Sequence, residues 1–167
     1  MFSKPAPITS AHDVSQFDCG NAVLNEYLVK YAIANASAGM ARTFVATLPN
    51  QSTVVGYFSI AAGSIEREAA TERVAKGTPK HAIPVVLLAR LAVDLKYQGQ
   101  KLGAGLLKQA LLKILEASSI IGVRAVLVHA KHQKAANFYA QFGFVPSPSN
   151  PFHMLLILKD IAKTVAS

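Results

Sequence analysis

Residues 85–115 read VVLLARLAVDLKYQGQKLGAGLLKQALLKIL, and this stretch decides the fold. Its beginning is almost continuously apolar and rich in valine and leucine, which is typical of a strand buried on both faces. A short polar turn follows. The apolar residues from Leu102 to Leu115 then recur at helical spacing. The stretch therefore predicts a buried strand, a glycine-containing loop and an amphipathic helix, in that order.

The loop between this strand and this helix has a chemical use. The first N–H groups of a helix have no partner within it, and they lie at the positive end of the helix dipole. Glycines at 99, 103 and 105 remove Cβ atoms, so that the phosphates of a ligand can approach the backbone. Neither a Walker A loop nor a G-x-G-x-x-G fingerprint is present. The loop indicates another kind of pyrophosphate site, with an ordinary strand-to-helix connection as the alternative.

The composition bounds the class of protein. At 167 residues the chain is long enough to bury a core, and we predict a single domain over 1–167. No stretch reaches the roughly 18 apolar residues of a membrane span, and Met1 to Asp13 contains no apolar signal-peptide core. Cys19 is the only cysteine, so no internal disulfide can form, and we expect it to be structural. We predict a cytoplasmic protein that is not bound to membranes.

The positive charge is unevenly distributed. The net charge is +8. The segment from Arg73 to Lys113 contains eight basic residues and one acidic residue, Asp94. A phosphate-rich cofactor accounts for part of this excess. The remainder suits a second polyanion such as nucleic acid, or a solvated basic surface.

The rest of the chain predicts a mixed α/β protein with α+β character. Asn21 is expected to cap a helix whose apolar face comprises Val23, Leu24, Tyr27, Leu28 and Tyr31. The other predicted elements are strands at 43–47 and 54–65, an exposed loop at 66–82, a strand at 123–130, a helix at 131–142 and a strand at 154–158. This order predicts a mixed central sheet flanked by helices, with a ligand beyond the end of the central strand.

Two motifs resemble those of the GNAT N-acetyltransferases. Residues 98–104, QGQKLGA, are similar to the Q/R-x-x-G-x-G/A acyl-CoA loop, although Lys101 stands where that pattern usually has glycine. Residues 137–144, NFYAQFGF, resemble the second signature, a helix bearing a tyrosine before a G-F strand. The resemblance implies a GNAT fold with a splayed central strand pair, and acetyl-CoA as co-substrate.

The resemblance also implies roles for particular residues. Tyr139 would lie near the thioester sulfur and donate a proton or a hydrogen bond to the leaving thiolate; the alternative is an aromatic core residue. The amide nearest the acetyl carbonyl would stabilise the oxyanion. The implied cofactor contacts are Leu91, Ala92, Val93, Gln98, Gly99, Gln100, Lys101, Leu102, Gly103, Ala104 and Asn137.

A general base is not selected by the sequence. The candidates are His129, Glu66, Glu68 and Asp94. A missing base is tolerable if the acceptor amine is largely neutral. The α-amine of an amino acid has a reference pKa of about 7.7–8.0, far below that of lysine, and an ester on the adjacent carboxyl would lower it further. His129 and His132 lack a third ligand at metal spacing, so we expect no metal site.

A closer resemblance is to the GNAT toxins of bacterial toxin–antitoxin pairs, the TacT and AtaT group. Segments of this resemblance follow one another at 17–21, 41–45, 56–59, 83–86, 89–94 and 122–125. It implies acetylation of the α-amine of aminoacyl-tRNA, which blocks translation. It also implies a ribbon-helix-helix antitoxin, operator DNA bound only through the antitoxin complex, and a homodimer. The tRNA contacts that it implies are Arg73, Lys76, Lys80 and Arg90.

Three functions remain open from the sequence. The first is the tRNA-acetylating toxin, which the basic excess favours. The second is an ordinary GNAT enzyme acting on a small amine or a protein terminus. The third is a non-catalytic acyl-CoA-binding module, disabled by Lys101 in its loop.

Overall fold

The computed structural model describes residues 1–166. Its strands form one mixed sheet in the order β1-β2-β3-β4-β5-β7-β6. The β4–β5 pair is parallel, whereas β1–β2, β2–β3, β5–β7 and β6–β7 are antiparallel. The strands are β1 Ala6–Pro7, β2 Arg42–Thr47, β3 Val54–Ile65, β4 Ile83–Val93, β5 Ala125–His129, β6 Val145–Pro146 and β7 His153–Ile157. The mixed sheet is as predicted.

The helices are mostly short, with one long exception in α4. They are α1 Ala22–Glu26, a π-helix Tyr27–Tyr31, α2 Ala32–Ser37, α3 Glu72–Ala75, α4 Leu102–Ala117, α5 Gln133–Ala140 and α6 Ile161–Ala166. Single 3-10 turns occupy Arg67–Ala69, Leu95–Tyr97 and Leu158–Asp160. None of the helices within residues 1–166 has the length and apolar character needed to span a membrane.

The described chain divides into two compact units, and both β3 and β4 contribute residues to each. Unit 1 comprises residues 1–61 and 89–110. Its core packs aromatic and aliphatic side chains from the N-terminal helices against β2, β3 and the end of β4. The buried members of this cluster are Phe17, Tyr27, Leu28, Ala32, Val45, Val54, Tyr57 and Ala92.

Unit 2 comprises residues 62–88 and 111–166 and has a cluster of its own. This cluster joins α3 to β4, β5 and β7, whose near-continuous apolar sequences suit interior strands. Its buried members are Ala70, Val74, Ile83, Val85, Ala125, Leu127, Leu155 and Ile157.

The stretch that decides the fold has the structure that its pattern predicts. The strand, the polar turn and the helix are β4, the 3-10 turn Leu95–Tyr97 and α4. Leu106, Leu107 and Ile114 are buried on one face of α4, as the spacing requires. Leu115 is the exception, because the end of α4 leaves it 37% exposed.

The N-terminal helix differs from its prediction. Asn21 does cap it, since the Asn21 side chain accepts a hydrogen bond from the Leu24 N–H at 3.1 Å. The predicted apolar face is wrong at Val23, which is 68% exposed, and at Tyr31, which is 49% exposed. The π-helix widens one turn and rotates the residues after it, so that Ala32 takes the buried position instead.

Candidate active site

The loop that joins β4 to α4 carries a row of unpaired backbone N–H groups. The first hydrogen bond of α4 runs from the Gly105 N–H to the Lys101 carbonyl, at 3.1 Å. Throughout residues 1–166, no acceptor is found for the backbone N–H groups from Gln98 to Ala104. Because these donors lie at the N-terminus of a long helix, they could hold the oxygens of a phosphate or pyrophosphate.

Two residues give this loop its course. Gly99 has a φ of 81° and Lys101 has a φ of 65°, both in the left-handed region. An L-residue in that region carries a penalty of roughly 1–2 kcal/mol. The loop pattern usually has glycine at the position of Lys101, and the positive φ gives the physical reason. Lys101 is exposed, and its ammonium extends from the same loop.

The end of β4 precedes this loop. The register between β4 and β5 ends at the pair Leu88–Val128, and β4 continues to Val93. Past Leu88, the register gives the described residues of β4 no partner on β5, which itself ends at His129. Within the three predicted contacts Leu91–Val93, the first is half-buried and the other two are buried.

Tyr139 lies on α5 among aromatic rings. It makes edge contacts with Phe138 and Phe144, with ring centroids 5.2 and 5.5 Å away. Burial raises the pKa of Tyr139 to about 12, so that the phenol stays protonated at neutral pH. Within residues 1–166 the Tyr139 hydroxyl has no hydrogen-bond partner. In the same residues, every wholly buried polar atom of a side chain does have a hydrogen-bond partner. The hydroxyl therefore reaches the surface and is free to donate.

Asn137 lies on α5, two residues before Tyr139. It is exposed, and its side-chain oxygen accepts a hydrogen bond from the Gln133 amide at 2.8 Å. Its backbone carbonyl accepts from the Gln141 N–H at 3.3 Å. The side-chain amide nitrogen of Asn137 makes no contact that would prevent it from donating to a ligand.

Two of the candidate bases differ sharply in their surroundings. The Asp94 carboxylate is buried and accepts hydrogen bonds from the Asp18 and Lys96 N–H groups at 3.1 and 2.9 Å. It therefore fixes the turn after β4. His129 stacks on His153 with ring centroids 4.0 Å apart. Burial, with the nearby charges of His153 and Lys131, lowers the pKa of His129 and keeps its ring neutral and able to accept a proton.

The other two candidate bases line an open cavity of unit 2. The cavity has a volume of 420 Å³. Its lining residues are Glu66, Arg67, Glu68, Lys80, His81 and Ala82. Arg67 is occupied, because its guanidinium donates to the Thr78 and Pro79 carbonyls at 3.0 and 3.1 Å. The remaining charged residues of the lining, which could contact a ligand, include the acidic Glu66 and Glu68 and the basic Lys80.

The four predicted tRNA contacts have different neighbours. Arg73 forms a two-pronged ion pair with Asp160, with N–O distances of 2.5 and 3.1 Å. Lys76 and Lys80 are exposed. Arg90 is half-buried, and its guanidinium carbon lies 3.6 Å from the centroid of the Tyr27 ring. Among the four predicted tRNA contacts in residues 1–166, Arg73 is therefore the one whose charge is already neutralised by a carboxylate.

No group of three or more His, Cys, Asp or Glu side chains in the described chain is placed to hold a metal ion. His129 pairs with His153, and the His132 ring instead accepts a hydrogen bond from the Ala135 N–H at 3.1 Å, which caps α5.

A family model decides the identity. The model of the acetyltransferase (GNAT) domain matches residues 39–146, which include β4, the loop of unpaired amides, α4 and Tyr139. The chain belongs to the GNAT acetyltransferase family.

Several proteins are similar along almost the whole chain. A tRNA-acetylating toxin of Mycobacterium tuberculosis is 43% identical over 95% of this chain and 94% of its own length. The structure of AtaT complexed with acetyl-methionyl-tRNAfMet is 28% identical, covers 98% of both chains and superimposes with a TM-score of 0.89. A tyrosine-to-phenylalanine mutant of the AtaT toxin, bound to the C-terminus of the antitoxin AtaR and to acetyl-CoA, is 26% identical, covers 100% of this chain and 99% of its own, and has a TM-score of 0.83.

Two residues of this GNAT chain that were not predicted to have site roles organise its predicted binding residues. Arg124 donates hydrogen bonds to the Arg73, Val74 and Lys76 carbonyls at 2.8–3.0 Å, which closes the C-terminus of α3. Its charge within an otherwise apolar strand pattern was the available signal. Tyr27, which carries the Arg90 guanidinium on its ring, gave no such signal, because its spacing assigned it to the apolar core.

Proposed function

We propose that this protein transfers the acetyl group of acetyl-CoA to the α-amine of aminoacyl-tRNA, and that it acts as the toxin of a toxin–antitoxin pair. The observation that carries the proposal is the 43% identity, over 95% of the chain, to a relative named a tRNA-acetylating toxin. The unpaired amides and the uneven positive charge support the two ligands that this reaction needs.

The cofactor would be held mainly by backbone. The N–H groups from Gln98 to Ala104 would donate to the pyrophosphate oxygens, and the exposed ammonium of Lys101 would add a charge. The backbone of Leu91, Ala92 and Val93 would bind the pantetheine arm, and the amide nearest the acetyl carbonyl would stabilise its developing negative charge. Asn137 would add a side-chain donor from α5.

In the reaction, the acceptor nitrogen forms a bond to the acetyl carbon, and the carbon–sulfur bond breaks. The Tyr139 hydroxyl would stabilise the departing thiolate. Because its pKa is raised to about 12, it is suited to donating a hydrogen bond and holds its proton more tightly than a thiol with a reference pKa near about 8.5. The final proton on sulfur would then come from solvent, or from the acceptor nitrogen, which attacks as a neutral amine, becomes positively charged and must lose a proton.

No side chain needs to be a strong base in this scheme. The α-amine of an amino acid has a reference pKa near about 7.7–8.0, and the adjacent ester of aminoacyl-tRNA lowers it further, so that much of the acceptor is neutral at physiological pH. The His129 ring, which its lowered pKa keeps neutral, would be a candidate to take up the proton released on attack, whereas the Asp94 carboxylate already accepts two backbone hydrogen bonds.

The acceptor RNA would be bound by the basic residues Lys76, Lys80 and Arg90. Arg73 would also contact the RNA while it stays paired with Asp160. A ribbon-helix-helix antitoxin would neutralise the protein and carry it to operator DNA, and the active form would be a homodimer. Because charged tRNA is consumed by ribosomes, the protein would act in the cytoplasm.

The test is to incubate the purified protein with radiolabelled acetyl-CoA and a mixture of charged tRNAs. We expect label in aminoacyl-tRNA, and about a hundredfold lower kcat for Tyr139→Phe with unchanged acetyl-CoA binding. Tyr31→Phe is the matched control, since Tyr31 is exposed on the N-terminal helix.

Each outcome of that assay is decisive. Absence of label in tRNA, with acetyl-CoA binding intact, would overturn the proposed substrate and favour a small amine or a binding module. Equal label with wild type and Tyr139→Phe would retain the substrate and remove Tyr139 from the mechanism.

A further inference from the structure

The Arg90 guanidinium is held on an aromatic ring and has no polar partner. Its carbon lies 3.6 Å from the centroid of the Tyr27 ring, well within the range of a cation–π contact. Within residues 1–166 the guanidinium makes neither a hydrogen bond nor an ion pair. A half-buried guanidinium normally satisfies its N–H donors with carboxylates or carbonyls. Arg90 is therefore held in place with its donors available.

The Tyr27 ring is itself fixed in its position. It is 4% exposed and stacks against Tyr57, with centroids 6.3 Å apart. Its hydroxyl accepts a hydrogen bond from the Asn35 side chain at 3.4 Å, beside the buried hydroxyl pair of Thr43 and Ser59. Burial alone would raise the pKa of Tyr27, but these polar neighbours and the charge of Arg90 hold it below its ordinary value.

The local backbone explains how Tyr27 reaches this position. Tyr27 begins the π-helix Tyr27–Tyr31, an irregular turn of a type that is rare and often found at functional sites. After this turn Tyr31 faces outward, while Tyr27 faces the core and the β4 residue Arg90. The widened turn thus separates two tyrosines four residues apart into one buried support and one exposed side chain.

We propose that Tyr27 is a positioning residue for the acceptor RNA, which acts by holding the Arg90 guanidinium so that its free N–H donors meet a phosphate. The proposal rests on aminoacyl-tRNA being the substrate. Arg90 immediately precedes Leu91–Val93, so that a phosphate bound to it lies beside the strand segment proposed to hold the pantetheine arm. A guanidinium fixed in one orientation binds a phosphate better than a mobile one, because less side-chain entropy is lost.

The test is steady-state kinetics with purified aminoacyl-tRNA and acetyl-CoA, each varied in turn. We expect Tyr27→Leu to raise the KM for aminoacyl-tRNA about five- to tenfold, with the KM for acetyl-CoA unchanged. Tyr27→Phe retains the ring and should keep a KM close to that of the wild type. Tyr31→Leu, a change at the exposed tyrosine of the same π-helix, is the matched control.

A double-mutant cycle distinguishes positioning from general support of the fold. In an Arg90→Ala background, Tyr27→Leu should cause no further rise in the KM for aminoacyl-tRNA, because the residue that it acts through is absent. If Tyr27→Leu does not fold, Tyr27→Met replaces it, since an unbranched thioether fills the space without presenting a ring face.

Three results would overturn the inference. They are an additive cycle, a Tyr27→Phe variant as impaired as Tyr27→Leu, and a rise confined to the KM for acetyl-CoA. The last would assign Arg90 to the cofactor. If the wild-type protein does not acetylate aminoacyl-tRNA, that result overturns the proposed function rather than the role of Tyr27. It is obtained before any variant is made.

Discussion

The side-chain amide of Gln98 donates a hydrogen bond to the backbone carbonyl of Val93, at 2.9 Å. The same nitrogen lies 3.3 Å from the Cys19 carbonyl. Gln98 thus ties the first residue of the loop of unpaired amides to the last residue of β4. The two backbone segments proposed to hold acetyl-CoA are fixed to each other by this one side chain.

We expect Gln98→Glu to raise the Kd for acetyl-CoA at least about tenfold, because a carboxylate cannot donate to the Val93 carbonyl and would repel both it and the cofactor phosphates. Isothermal titration measures this. Gln100→Glu adds the same charge two residues later and loses only a 3.5 Å contact with the Lys96 carbonyl, so that the difference between the two variants reports mainly on the hydrogen bond to Val93. Equal effects of the two changes would contradict the positioning role of Gln98.

Lys101→Gly should move stability and cofactor affinity in opposite directions. Removing the Cβ at a φ of 65° relieves left-handed strain, and after the loss of chain entropy we expect the free energy of unfolding to rise by about 0.5–1 kcal/mol. The Kd for acetyl-CoA should rise, because an ammonium is lost. Urea titration and calorimetry measure the two quantities. Gln100→Gly, at a residue outside the left-handed region, should lower stability.

Gly56→Ala should destabilise the protein, whereas Gly63→Ala on the same strand should not. A Cβ at Gly56 would lie 2.8 Å from Leu106 Cδ1 and 3.3 Å from the Ala92 carbonyl oxygen. A Cβ at Gly63 would meet nothing closer than 3.6 Å. We expect Gly56→Ala to lower the free energy of unfolding by about 1–3 kcal/mol, as overpacking does. A thermal melt of both variants checks this, and equal melting temperatures would refute it.

Stability should fall as the pH decreases through the range in which histidine titrates. Burial lowers the pKa of His129, so that its folded-state pKa lies below an unfolded value near about 6.5. Between those two values the unfolded chain binds more protons than the folded one, and acid therefore favours unfolding. His129→Gln should flatten the dependence of Tm on pH below about 6.5.

His12→Gln removes a histidine without touching the His129–His153 stack and should leave the shape of that profile intact. A profile that stays equally steep after His129→Gln would exclude His129 as its origin.

Much of the fold could be predicted because its signals are local. The alternation from apolar strand to polar turn to amphipathic helix lies within residues 85–115, and Asn21 caps its helix through a contact three residues away. Strand β3, predicted at 54–65, has those bounds in the structure. Periodicity failed at Tyr31, because a 3.6-residue period assumes regular α-helix and cannot anticipate the π-helix that ends there. The exposure of Val23, which lies in α1 before that turn, has no such explanation.

The backbone part of the candidate site could be predicted from the sequence. The side-chain contacts between residues far apart in the sequence could not. The sequence of the loop identified the amides after Gln98, because the chemistry of a helix N-terminus does not depend on neighbours. It could not reveal that Arg73 pairs with Asp160, which lies 87 residues away, or that Arg90 rests on Tyr27. Such pairings arise from the tertiary fold, whereas the composition shows only that the residues are charged.

A ligand that binds the unpaired amides from Gln98 to Ala104 would also stabilise the folded chain. Acetyl-CoA at about 100 times its Kd would add roughly 2.7 kcal/mol to the free energy of unfolding. A chain starved of acetyl-CoA would open its loop more often and be cleaved sooner by proteases. The supply of acetyl-CoA would thus govern both how fast this enzyme works and how long it survives.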